Sequence, residues 1–84
     1  KDVRTRLLAF YYHLAIMDGY NGSATSYSIN NFLTHDDIAK LIGSARQTVT
    51  TLINQVEGEG LIKVSRKKIE IPDFKKLQQL VMVT

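Results

Sequence analysis

Near the N-terminus, Val3, Leu7, Leu8, Tyr11, Leu14 and Ala15 recur at steps of three and four residues, the spacing of one apolar stripe on a helix. A helix is expected to run from Lys1 to about Asp18-Gly19. Starting at Lys1 it has no N-cap, so it reads as cut from something longer, with an N-terminal part missing. Residues 21–28 are rich in Gly, Ser, Thr and Asn and read as a loop, with Ile29 to Leu33 a short strand leading out of it.

The segment Leu33-Thr34-His35-Asp36-Asp37-Ile38 places Thr34 as N-cap and Asp37 at N3, a variant of the capping box. Leu33 and Ile38 fall at the positions of the hydrophobic staple. Ile38, Leu41 and Ile42 are expected to form the buried stripe, and Gly43 comes where a helix end favours positive φ. Ser44-Ala45-Arg46-Gln47 then repeats the Ser-x-x-Gln capping pattern, and Val49, Leu52, Ile53 and Val56 follow with helical spacing. Two capped helices joined by a short turn containing Gly form a helix-turn-helix, because so tight a link forces a steep crossing.

Glu57-Gly58-Glu59-Gly60 ends the second helix, with Gly60 a candidate left-handed cap. Leu61 to Val64 and Ile69 to Ile71 are rich in β-branched residues and read as a hairpin whose tip is Ser65 to Lys68. Pro72 stops the second strand, and Asp73 can cap a last helix whose Phe74, Leu77, Leu80 and Val81 face the core. The predicted fold class is α+β: a mostly helical winged helix-turn-helix with a small antiparallel β-hairpin wing. Residues 1–84 form one domain, with the helix-turn-helix over 34–57 and the wing over 61–71.

Composition narrows the functional classes. A chain of 84 residues closes one modest core, leaving exposed roughly 40% of the surface of its unfolded form. At 44% hydrophobic and 23% charged it has the balance of a folded globular protein. With no cysteine, a disulfide framework, a thiolate metal site and a cysteine nucleophile are excluded, which fits a reducing cytoplasm. No apolar run approaches the ~18 residues of a membrane span, and Lys1-Asp2-Val3-Arg4 is no signal peptide, so no membrane partner is expected. The net charge of +3 is mild, but Lys63, Arg66, Lys67 and Lys68 concentrate four positive charges in six residues. On charge alone such a run reads as a solvated loop.

The second helix changes that reading. Once its apolar stripe is removed, Arg46, Gln47, Thr50, Thr51 and Asn54 remain on the outer face. A solvated face usually carries Glu and Lys, whereas Thr and Asn are poor helix formers. Contact with a DNA groove explains the choice: Arg reads guanine, Gln reads adenine, Thr offers a hydroxyl or a methyl, and Asn can do either. Ser65, Arg66, Lys67 and Lys68 on the hairpin suit phosphate contacts. Thr34, His35, Ser44, Ala45 and Thr48 lie at or near the two helix starts, where free N–H groups and the helix dipole favour phosphate. Taken alone, His35 reads as a surface residue at a helix start.

Catalysis has little support, since no Ser-His-Asp set, paired carboxylate motif, Gly-rich phosphate loop or His-x-x-x-His pair is present. His13 reads as a half-exposed helical histidine, and Asp36-Asp37 is explained by capping, so no metal is assigned.

From Leu33 to Ile71 the sequence resembles the C-terminal DNA-binding domain of the cyclic-AMP receptor and fumarate-nitrate regulator (Crp/Fnr) family of bacterial transcription factors. The residues carrying the likeness are Thr34 to Ala39, Leu41-Ile42-Gly43, Arg46 to Thr50, and Leu61-Ile62 before a hairpin. The opening helix, with Arg4 near its start, is similar to the helix after the family's hinge. The resemblance implies a non-enzymatic, homodimeric regulator on two-fold symmetric double-stranded DNA, with helix 45–56 in the major groove and RNA polymerase among its partners. It implies no cofactor in this domain; a cyclic nucleotide or other effector would bind the missing N-terminal domain. Arg46 matches a base-contacting arginine of the family. Gln47 stands where many members place glutamate, Thr51 where they often carry a second arginine, and Arg66 where the wing turn often holds glycine. These departures imply a different half-site, since Glu accepts from cytosine whereas Gln pairs with adenine. The alternative is a winged-helix protein-interaction module, which should show apolar anchors on the outer face of the second helix.

Overall fold

A computed structural model of the chain describes residues 2–82, so Lys1, the expected helix start, lies outside the described residues. Asp2 accepts a hydrogen bond from the Thr5 backbone N–H at 2.7 Å and opens α1 (Val3–Met17). This corrects the expectation of an uncapped helix: the first residue of the apolar stripe, Val3, is itself the first helical residue, which leaves Asp2 in the capping position. The remaining elements are β1 (Tyr27–Asn30), α2 (His35–Ile42), α3 (Arg46–Gly58), β2 (Lys63–Val64), β3 (Lys68–Ile71) and α4 (Phe74–Met82). They form the winged helix-turn-helix that the sequence predicts.

The sheet has three strands rather than a hairpin alone, in the order β1-β3-β2. β1 pairs antiparallel with β3 through Tyr27↔Ile71 and Ile29↔Ile69, and β2 pairs with β3 through Lys63↔Glu70 and Val64↔Ile69. The first strand begins and ends earlier than the expected 29–33. It stops because the Asn31 side-chain oxygen accepts from the Leu33 N–H at 3.1 Å, a local turn that competes with further strand pairing.

Leu7, Leu8, Tyr11 and Ala15 of α1 are buried with Ile38 and Ala39 of α2, Val49, Ile53 and Val56 of α3, Ile69 and Ile71 of β3, and Phe74 and Leu77 of α4. Two expected core residues are not there: Leu41 is 64% exposed and Leu80 41%. In α2 the buried arc runs through Ile38, Ile42 and Ala39, and at 3.6 residues per turn Leu41 lies about 160° around from Ala39. Leu41 sits about 60° beyond the Ile38 edge of that arc, which repetition of apolar residues could not reveal. The Tyr11 hydroxyl is buried without a hydrogen-bond partner among the described residues, and burial, with the nearby Glu57 carboxylate second, pushes its pKa up.

Polar ties join α1 to the helix-turn-helix. Arg4 holds the Glu59 carboxylate with two nitrogens, at 2.6 and 2.9 Å. Arg6 Nε donates to the Ile42 carbonyl at the end of α2, at 3.1 Å. Glu57 accepts from the Val64 N–H at 3.0 Å and so fixes β2 to α3.

Candidate nucleic-acid interface

The turn between α2 and α3 consists of Gly43, Ser44 and Ala45. Gly43 takes φ 71° and ψ 46°, a left-handed conformation that only glycine adopts without strain. Its N–H and that of Ser44, the latter at 2.8 Å, both return to the Ala39 carbonyl. Ser44 is thereby used to close α2, and the N-cap of α3 is Ala45, with no side-chain cap bond. The expected Ser44–Gln47 capping box is absent because the left-handed glycine sets the helix start one residue later.

The two helix starts therefore differ. At α2 the capping box is complete: the Thr34 hydroxyl accepts from the Asp37 N–H at 3.0 Å, and the Asp37 carboxylate accepts from the Thr34 N–H at 2.9 Å. These bonds hold the Asp37 carboxyl below the usual carboxylate range. Asp36 pairs with Lys40 at 3.1 Å. At α3 neither a capping side chain nor an acidic residue occupies the first turn. Of the candidate phosphate contacts near helix starts, Ala45 and Thr48 are exposed beside this uncapped start, Ser44 is half-buried, and Thr34 is occupied by its own cap.

On α3, Val49, Ile53 and Val56 face the core, Gln47, Thr51 and Asn54 are exposed on the opposite side, and Arg46 is exposed as the first residue of the helix. The Thr51 hydroxyl donates to the Gln47 carbonyl at 3.1 Å. Thr50 differs from its neighbours: it is half-buried, and its Oγ1 lies 2.7 Å from Nδ1 of His35. His35 is thus joined to α3 rather than standing free at the surface.

At the wing, the Ser65 N–H donates to the Lys68 carbonyl at 2.8 Å and the Lys68 N–H donates to the Ser65 hydroxyl at 3.1 Å. Ser65 builds the turn, Arg66 and Lys67 occupy its exposed tip, and Lys68 belongs to β3 opposite Asn30 rather than to the tip. Asn31, which the sequence reading passed over, anchors this tip. Its side-chain amide donates to the Ser65 carbonyl at 3.0 Å, and its backbone N–H donates to the Lys67 carbonyl at 2.8 Å. The available signal was an asparagine just before a capped helix, a common turn former.

Among the described residues, the large apolar side chains that stand exposed are Ile16, Met17, Phe32, Leu41, Leu80 and Met82, none of them on α3. No group of three or more His, Cys, Asp or Glu among the described residues could hold a metal. His13 is exposed, edge-to-face with the Tyr12 ring at 5.2 Å. No described helix is long and apolar enough to cross a membrane.

Comparison with known proteins places this architecture. The transcriptional regulator SdrP of Thermus thermophilus is 43% identical over 47 residues, covering 56% of this chain and 23% of SdrP. A Crp/Fnr-family protein from Eubacterium rectale shares the fold at TM-score 0.77 and 32% identity, over 96% of this chain and 34% of that one. The CO-dependent transcription factor CooA of Carboxydothermus hydrogenoformans superposes at TM-score 0.75 and 28% identity, over 95% of this chain and 37% of its own. The chain thus spans about a quarter to two fifths of these relatives. The profile described as a Crp-like helix-turn-helix domain matches residues 5–80, well beyond the segment that carried the resemblance in sequence, and the chain belongs to that family.

Proposed function

We propose that this domain binds double-stranded DNA sequence-specifically, as the output domain of a transcription regulator, with α3 in the major groove and the wing on the phosphate backbone. The observation that carries the proposal is the exposed face of α3. Gln47, Thr51 and Asn54 share it, Arg46 stands exposed at its first turn, and no large apolar side chain is among them, the reverse of what a protein-docking helix needs. Arg46 and Gln47 can each approach a base edge with two hydrogen-bonding atoms. Arg66 and Lys67 supply sequence-independent attraction to phosphate, and the uncapped start of α3 adds free amides. The relatives are several times longer than this chain. On this reading, effector sensing and homodimer contacts belong to the portion they have in addition, and dimerisation sets two α3 helices about one turn of DNA apart.

In vitro selection of DNA sites with the natural protein that carries this domain, repeated with Gln47→Glu, tests the proposal. A half-site that changes at one position, from adenine toward cytosine, is expected. Absence of any selected sequence, or an unchanged half-site, refutes α3 as the reading element.

A further inference from the structure

Thr50 and His35 belong to different helices, fifteen positions apart, yet they share the hydrogen bond that joins the reading helix to the helix before it: Nδ1 to Oγ1 at 2.7 Å. Both side chains are half-buried. His35 Nε2 has no partner among the described residues. We infer that His35 is a specificity-determining positioning residue, which fixes the Thr50 hydroxyl as a hydrogen-bond acceptor toward the groove that α3 enters. The inference rests on the DNA-binding reading above.

The argument follows from proton counting. A threonine hydroxyl has one proton to give and two lone pairs. A neutral imidazole donates from one nitrogen and accepts at the other. A phosphate oxygen only accepts, so a neutral imidazole that reaches phosphate through Nε2 carries its one proton there, which leaves Nδ1 bare. Thr50 then spends its proton on Nδ1 and presents lone pairs alone to the groove. The groove atoms that match are exocyclic amines, adenine N6 and cytosine N4; guanine N7 and O6 and thymine O4 offer no proton and are disfavoured. A free threonine would rotate to donate or accept and would discriminate poorly. One backbone phosphate contact thereby becomes base information, through a residue that touches no base.

The test is site selection and competition binding with the natural protein, its His35→Ala, Thr50→Val and double variants, and Thr50→Ser as the conservative control. The wild type is expected to prefer adenine or cytosine at one position per half-site. His35→Ala and Thr50→Val are each expected to flatten that same position by roughly three- to tenfold, the scale of one hydrogen bond. The double variant should go no further than either single, and Thr50→Ser should keep the preference. If His35→Ala weakens all sequences alike and leaves the profile unchanged, His35 is a phosphate contact only and the inference fails. It also fails if Thr50→Val lowers thermal stability without altering any base position. Should His35→Ala not fold, Thr50→Val, which removes only the hydroxyl, decides the matter from the α3 side. A wild type that selects no sequence at all would instead overturn the DNA-binding reading.

Discussion

Replacing Gly43 and Gly58 with alanine makes one chemical change in two places, and the structure gives the two opposite signs. A Cβ added at either glycine meets nothing within 4 Å, so neither substitution is decided by collision. Gly43 holds φ 71° in the turn between α2 and α3. There an alanine Cβ crowds its own carbonyl at a cost of roughly 1–2 kcal/mol. The stiffer unfolded chain returns about 0.4–1 kcal/mol, for a net loss near 1 kcal/mol and a Tm lower by about 4–8 °C in a domain of this size. Gly58 is the last residue of α3, without positive φ. Alanine gains up to about 0.5–1 kcal/mol inside a helix and less at its end, so a Tm rise of a few degrees is expected. Urea and thermal unfolding followed by circular dichroism measure both. Gly43→Asn should fall between wild type and Gly43→Ala, because asparagine tolerates the left-handed region better. A shift of the same sign in both alanine variants, or an asparagine no better than alanine, would refute the backbone-strain account of the turn.

Further outcomes follow from the interface and the core. Arg46→Ala should cost about 1–3 kcal/mol of DNA affinity at one base position, while Lys67→Ala should weaken all sequences alike and reduce the salt slope by about one; equal effects of both on base preference would exclude the assigned roles. Asn31→Ala removes the side-chain tie to Ser65 without removing a charge, and faster exchange of the hydrogen-bonded Ser65 and Lys68 amides, with weaker binding to every sequence, is expected. Ile53→Ala, at a site 2% exposed, should destabilise by about 2–5 kcal/mol, read from the urea midpoint. Arg4 holds the Glu59 carboxyl below the usual range, so the pair adds stability that is full above the ordinary glutamate range and lost as pH falls through the lowered folded value. Glu59→Gln should therefore flatten the acid limb of a stability–pH curve; an unchanged limb would show that the pair adds nothing.

What could be read in the sequence was what a few adjacent residues decide. Thr34 and Asp37 form their capping box in any chain that starts a helix there, and Gly43 ends α2 for reasons internal to its own backbone. Ser44 shows the limit of such local reading. It has the right chemistry and spacing for a cap, but its backbone N–H closes α2 and the next helix starts one residue later, with Ala45 as its N-cap. Leu41 was misplaced because apolar spacing gives a stripe its period, while the neighbouring helix decides which arc is covered. Pairing of β1 with β3 and the reach of Asn31 to Ser65 join positions some forty and thirty-four residues apart, and nothing near either end announces the partner. The exposed α3 face was legible for the opposite reason, since a surface of Arg, Gln, Thr and Asn departs from what solubility alone would select.

The grips of Arg4 on Glu59 and of Arg6 on Ile42 turn α1 into a handle. The first is fastened to the far end of the reading helix and the second to the last residue of the helix before it, with the core wedged between. Torque applied to α1 is therefore delivered to the whole helix-turn-helix at once, as a wrist turns a closed hand. A displacement of α1 would therefore carry both helices with it, and neither could turn without the other.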